Sequence, residues 1–148
     1  MSASDTRRSV AKSLALAAAG VAAAASGAAS AAPAEKYRVV FQVSDADPAK
    51  WKLTLNNMRN AQAELGADRV TIELVAFGPG IGILRADAEV APRVGEAAQA
   101  GIAVLACENT LRGMGIAREQ LHPRAGTVPS GVAHLIRRQN EGYAYIRS

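Results

Sequence analysis

The sequence predicts an α/β domain: a three-layer α/β/α arrangement around a mostly parallel, five-stranded sheet. Three observations carry that prediction. Short runs of β-branched and apolar residues alternate with segments of helical periodicity, the pattern of βαβ units. Several of the helical segments open on a capping residue or proline and close on glycine. The only cysteine, Cys107, closes the apolar run Ala100–Ala106 and precedes the polar Glu108-Asn109-Thr110. That is the pattern of a buried strand ending where a helix starts.

The elements follow in order. Tyr37–Val43 is rich in β-branched and aromatic residues and reads as the first strand. Asp47 caps the next helix and Pro48 takes its first position. Trp51, Leu55, Met58 and Leu65 recur at helical spacing, and Gly66 stops the helix. Val70–Phe77 reads as a strand whose end is covered on both faces. Gly78-Pro79-Gly80-Ile81-Gly82 follows as a glycine-rich loop. Asp87–Ala100 reads as a helix, with Pro92 acceptable only in its first turn. Ile102–Ala106 is the third strand, ended by Cys107, and Asn109 or Thr110 caps a short helix through Leu111 and Met114. After a loop from Arg118 to Gly126 come a short strand at Thr127-Val128 and a helix opened by Pro129. Tyr143–Ile146 is the last strand. Right-handed crossovers restrict the topology without fixing the strand order.

Residues 1–31 stand apart as an export signal. Arg7, Arg8 and Lys12 form a basic start, Leu14–Ala25 is an Ala-rich apolar stretch, and Ala29-Ser30-Ala31 is a small-x-small cleavage site. A second cleavage candidate ends at Ala34. The apolar stretch falls short of the about 20 residues of a spanning helix. Arg7-Arg8 resembles a twin-arginine signal, with Val10 and Ala11 in place of bulkier residues, so twin-arginine and ordinary secretion both fit. Either route in a bacterium ends in the periplasm, with no membrane association after cleavage.

Without residues 1–31, 14 Lys+Arg face 12 Asp+Glu, a net charge of +2 against +4 for the whole chain. No basic cluster interleaves with aromatics, which argues against a nucleic-acid partner. The remaining length, residues 35–148, fits one compact domain with no repeat or long linker. So small a domain buries a modest share of its surface. One cysteine permits no internal disulfide, so self-association is an expected further source of stability.

Val39–Ser44, Trp51 with Leu55-Asn56-Asn57, Val75–Gly80, Leu105–Thr110 and Gly142–Ile146 together resemble the DsrE/DsrF-like family, and more narrowly its exported bacterial members. Phe77-Gly78-Pro79-Gly80 and Cys107-Glu108-Asn109 are the more specific pieces. The resemblance implies a three-layer α/β/α fold and homo-oligomers, often trimers or hexamers. It also implies, for the sulfur-relay members, a cysteine that accepts sulfur as a persulfide and passes it to a partner protein. Cys107 is the residue here that fits the role.

Cys107 is therefore the candidate catalytic residue, its thiolate favoured by a helix N-terminus. Glu108 opposes this only if its carboxylate points at the sulfur. The alternative is a buried, inert cysteine in an oligomeric small-molecule-binding or structural module. Gly78, Gly80, Gly82 and Asn109 are the candidate ligand-binding residues. The glycines could cradle an anion, although a tight turn is the favoured explanation. The loop matches neither a Walker loop nor a dinucleotide fingerprint. His122, beside Arg124, reads as an exposed loop residue, and His134 as the solvent side of its helix. Neither histidine has metal-ligand spacing, so no metal and no cofactor is expected. A single cysteine excludes an internal dithiol–disulfide oxidoreductase. A flavodoxin-like electron carrier fits the sheet but lacks a Ser/Thr-rich phosphate loop after strand one.

Overall fold

The computed structural model describes residues 36–148. The export signal, its cleavage sites and its route lie outside the described residues. Five strands form one sheet: β1 (Tyr37–Val43), β2 (Val70–Ala76), β3 (Ala103–Cys107), β4 (Gly126–Val128) and β5 (Ala144–Arg147). Their order is β4-β3-β2-β1-β5, and every pairing is parallel. Four α-helices connect them among the described residues: α1 (Pro48–Leu65), α2 (Ala91–Gln99), α3 (Glu108–Met114) and α4 (Gly131–Asn140). The chain steps outward from β1 to β4, then returns across the sheet to place β5 on the far side of β1. Right-handed crossovers accordingly put α1–α3 on one face and α4 on the other.

Strand alternation sends successive side chains to opposite faces. Phe41, Ile72, Leu74, Val104 and Ala106 join the larger core beneath the first three helices, with Met58 of α1 fully buried. Val40, Val75, Val128 and Leu135 form the smaller core beneath α4. Cys107 shares the parity of Leu105, so it lies on the α4 face at the carboxyl end of β3.

The start of α1 is as its sequence predicts. Asp47 is extended (φ −110°, ψ 109°) and its Oδ1 accepts the Ala49 N–H at 2.8 Å. Gly66 ends the helix with φ 92°. The helix expected from Asp87 begins instead at Ala91. Pro92 lacks an N–H and its ring crowds the preceding turn, so the helix cannot extend four residues before it. The Gly78–Gly82 segment is part of a 3-10 helix, Gly78–Leu84, rather than an open loop. The third correction concerns α3. Its N-cap is Cys107 itself, not Asn109 or Thr110.

Candidate functional site

Cys107 carries the extended φ and ψ of an N-cap residue (−75°, 117°), and α3 starts immediately after it. A helix leaves its first N–H groups without partners in the helix. The sulfur sits where a serine or threonine cap would place its oxygen. It makes no cap hydrogen bond of regular geometry. The residue is 5% exposed. Burial pushes the thiol pKa up. The Gly131 N–H, the Thr110 N–H and hydroxyl, and the Asn109 N–H favour the thiolate and outweigh burial, so the pKa lies below that of an ordinary thiol.

Two elements remote in sequence complete this corner. Gly131 is the first residue of α4, and its N–H belongs to that helix's unpaired first turn. A Cβ built on Gly131 would stand 3.0 Å from Phe77 Cδ1 and 3.3 Å from Cys107 Cβ. Glycine is thus what lets the start of α4 close on the cysteine. Gly78, at φ +52°, donates its N–H to Thr110 Oγ1 at 2.9 Å. With that lone pair engaged, the Thr110 hydroxyl is oriented to donate to the sulfur.

Glu108 does not face the thiol. Its Oε1 accepts the Thr127 hydroxyl at 2.8 Å, and its Oε2 lies 3.9 Å from Arg112 Nη1. The Asn109 side chain is drawn away too, its Oδ1 accepting from Arg112 Nη2. Only the Asn109 backbone serves the sulfur.

The three candidate glycines divide. Gly78 joins the Cys107 corner through Thr110. Gly80 packs against β1, where a Cβ would stand 2.3 Å from Val43 O. Gly82 lies under Trp51, whose ring would be 2.6 Å from an added Cβ. His122 also stands apart, as part of a groove with Arg118, Glu119, Leu121 and Pro123. Its Nδ1 accepts the Arg124 N–H at 3.2 Å, and its Nε2 neighbours Gly95. Asp45 pairs with Lys50 and Arg147, and Asn57 donates to Ser148 Oγ, so both tie down the carboxyl terminus. Among the described residues no group of three or more His, Cys, Asp or Glu could hold a metal ion. None of their helices is long and apolar enough to cross a membrane.

A buried polar cluster escapes the sequence reading. Glu73, in the middle of β2, is 6% exposed on the α4 face. Its Oε2 lies 2.7 Å from His134 Nε2, and Arg138 grips both its oxygens at 2.8–3.0 Å. Arg138 Nη1 also meets Glu141 Oε2 at 2.6 Å, and its guanidinium lies 5.1 Å from the Tyr143 ring centroid. His134, expected on the solvent side, is 8% exposed because Glu73 draws it inward. Arg138, in the last turn of α4, is held by the same carboxylate. The available signal was the i, i+4 spacing of His134 and Arg138, set against one acidic residue in the middle of a largely apolar strand.

The chain matches the DsrE/DsrF-like family over residues 5–147, nearly its whole length. It belongs to that family. The match begins within the stretch read as an export signal. Among solved structures, the chain is similar to a protein of unknown function from Methanobacterium thermoautotrophicum. Identity is 42% and the TM-score is 0.73, with 76% of this chain and all of the other covered. It shares the fold of a conserved protein of unknown function from Bacteroides thetaiotaomicron (14% identity, TM-score 0.62, 75% and 94% covered). The ychN protein of E. coli has the same fold (15% identity, TM-score 0.60, 76% and 99% covered). No curated protein matches the chain. The family and the all-parallel α/β sheet are therefore secure, and these solved structures bring no activity with them.

Proposed function

We propose that this member of the DsrE/DsrF-like family is an exported, oligomeric sulfur carrier in which Cys107 accepts sulfur as a persulfide. The observation that carries the reading is the place of Cys107 at the start of α3 with the first residue of α4 closed upon it, a setting that lowers the thiol pKa. Such a setting favours the thiolate, which is the nucleophile. The step is redox-neutral. The Cys107 thiolate attacks the outer sulfur of a donor persulfide, R–S–SH. A new S–S bond forms at Cys107, the donor S–S bond breaks, and R–S⁻ leaves. The cradling N–H groups then help to hold the anionic persulfide. A donor or acceptor protein completes the relay. The Asn109 backbone faces the sulfur and Gly78 orients the Thr110 hydroxyl, while Gly80 and Gly82 fix the 3-10 helix that presents Gly78.

Export and the periplasmic site of action rest on residues 1–31. Self-association is supported by Val132 and Ile136, adjacent on the outer side of α4 and 53% and 55% exposed.

The test is incubation of the full chain with glutathione persulfide, read by intact mass. The wild type gains one sulfur atom, removed again by dithiothreitol, and Cys107→Ser gains none. Equal uptake by the two proteins contradicts the proposal. One observation, the 5% exposure of Cys107, favours a second reading: a binding module with an inert, structural thiol. That reading predicts no sulfur uptake until the protein unfolds.

A further inference from the structure

α4 has few apolar anchors. Leu135 is its one buried large apolar side chain, while Val132 and Ile136 point outward. Yet its first residue, Gly131, closes on Cys107 so tightly that an added Cβ would stand 3.3 Å from the cysteine Cβ, and its N–H is among the groups that favour the thiolate. The directional tie between this helix and the sheet is Glu73. This carboxylate takes His134 at 2.7 Å and, one turn later, Arg138 at 2.8–3.0 Å through both oxygens. Apolar contacts are non-directional and tolerate sliding, whereas a bidentate Arg–carboxylate pair fixes geometry. Replacing a buried ionic cluster by apolar residues is often neutral for stability. An ionised group at this buried place therefore has a better explanation in position than in energy.

The dimensions agree. Glu73 pairs in register with Ala103, and Leu105 and Cys107 follow along β3 on the same face. That climb of four residues is about 13 Å. From Arg138 back to Gly131 along α4 is about 10 Å. One helix thus spans the distance from the carboxylate to the thiol.

We propose that Glu73, with His134 and Arg138, is a positioning residue for Cys107: the cluster sets the axial position of α4 and so holds the Gly131 N–H against the sulfur. The proposal rests on the reading of Cys107 as the reactive sulfur. The groups facing Glu73 are His134 and Arg138 from α4. Glu141 lies behind Arg138, and the Tyr143 ring is shared by Arg138 and Arg38.

The experiment is the pH dependence of Cys107 alkylation by iodoacetamide in the folded full chain, read by intact mass, with thermal melting alongside. In Glu73→Gln the apparent thiol pKa rises toward the free value of about 8.5, and alkylation below that pH slows severalfold. His134→Gln, which keeps a donor for Glu73, shifts the thiol less than His134→Ala. A folded Glu73→Gln whose thiol titrates as in the wild type, with only the melting temperature changed, overturns the proposal. If Glu73→Gln does not fold, Arg138→Lys replaces it, since lysine keeps the charge but loses the bidentate grip. A folded Arg138→Lys with an unmoved thiol overturns the proposal in the same way. A wild-type thiol that already titrates at the free value refutes the sulfur-carrier reading instead, so the two failures are distinct.

Discussion

Cys107 occupies a position where most helices place an oxygen. Serine is a better cap acceptor than a thiol, so Cys107→Ser is expected to melt no lower than the wild type while losing sulfur uptake. A fall of several degrees would mean that the thiol's packing outweighs its capping role. Thr110→Val removes one donor and keeps the shape, so its expected effect is a raised thiol pKa with little change in fold. Alkylation against pH checks it, and an unmoved pKa would remove the hydroxyl from the site. At this scale the sequence placed the cysteine correctly, because an apolar run meeting polar residues marks a strand end. It could not supply Gly131 or Thr110 as partners. The Gly131 contact exists only after α4 returns across the sheet, and the Thr110 hydroxyl is aimed by a glycine 32 residues away.

The 3-10 helix at Gly78–Leu84 is packed rather than open. Gly80→Ala would press a methyl into the β1 backbone at Val43, and overpacking of this kind costs about 1–3 kcal/mol or more. Gly82→Ala meets only the Trp51 ring, a side chain able to move, so it costs less. Melting temperatures in the order wild type, Gly82→Ala, Gly80→Ala check this, and the reverse order refutes it. The element α4 carries a pH signature as well. Burial pushes the Glu73 pKa up, but hydrogen bonds from Arg138 and His134 outweigh it and hold the carboxyl below the ordinary range. Its stabilisation is complete above the unfolded value of about 4.3 and is lost as pH falls through the lower folded value. Denaturant midpoints measured down that window should fall for the wild type and stay flatter for Glu73→Gln. Glu73→Ala, which takes from buried His134 its acceptor and leaves Arg138 only Glu141, should cost about 1–3 kcal/mol at neutral pH. Helical periodicity made α4 legible, but not its partner. A glutamate in a strand reads as solvent-facing until the fold sets a histidine and an arginine over it.

The described domain is asymmetric across its sheet. Three helices cover one face and a single ten-residue helix covers the other. Val132 and Ile136 on α4, and Tyr145 on the edge strand β5, remain exposed. Glutamates at both Val132 and Ile136 are expected to reduce the mass seen by light scattering to that of a single chain, with far-ultraviolet dichroism unchanged. A wild-type monomer would contradict the oligomer outright. The fold class was legible because alternating elements with short connections permit few arrangements. The order β4-β3-β2-β1-β5 was not, since right-handed crossovers restrict the position of β5 without fixing it. All of these scales meet at one thiol, brought together by the end of β3, the start of α3 and the returning α4. The most direct measurement is the rate of Cys107 alkylation against pH in the native full chain. The account predicts labelling of the folded protein with an apparent pKa below the free-thiol value of about 8.5. Labelling only after unfolding, or a pKa at or above that value, would contradict it.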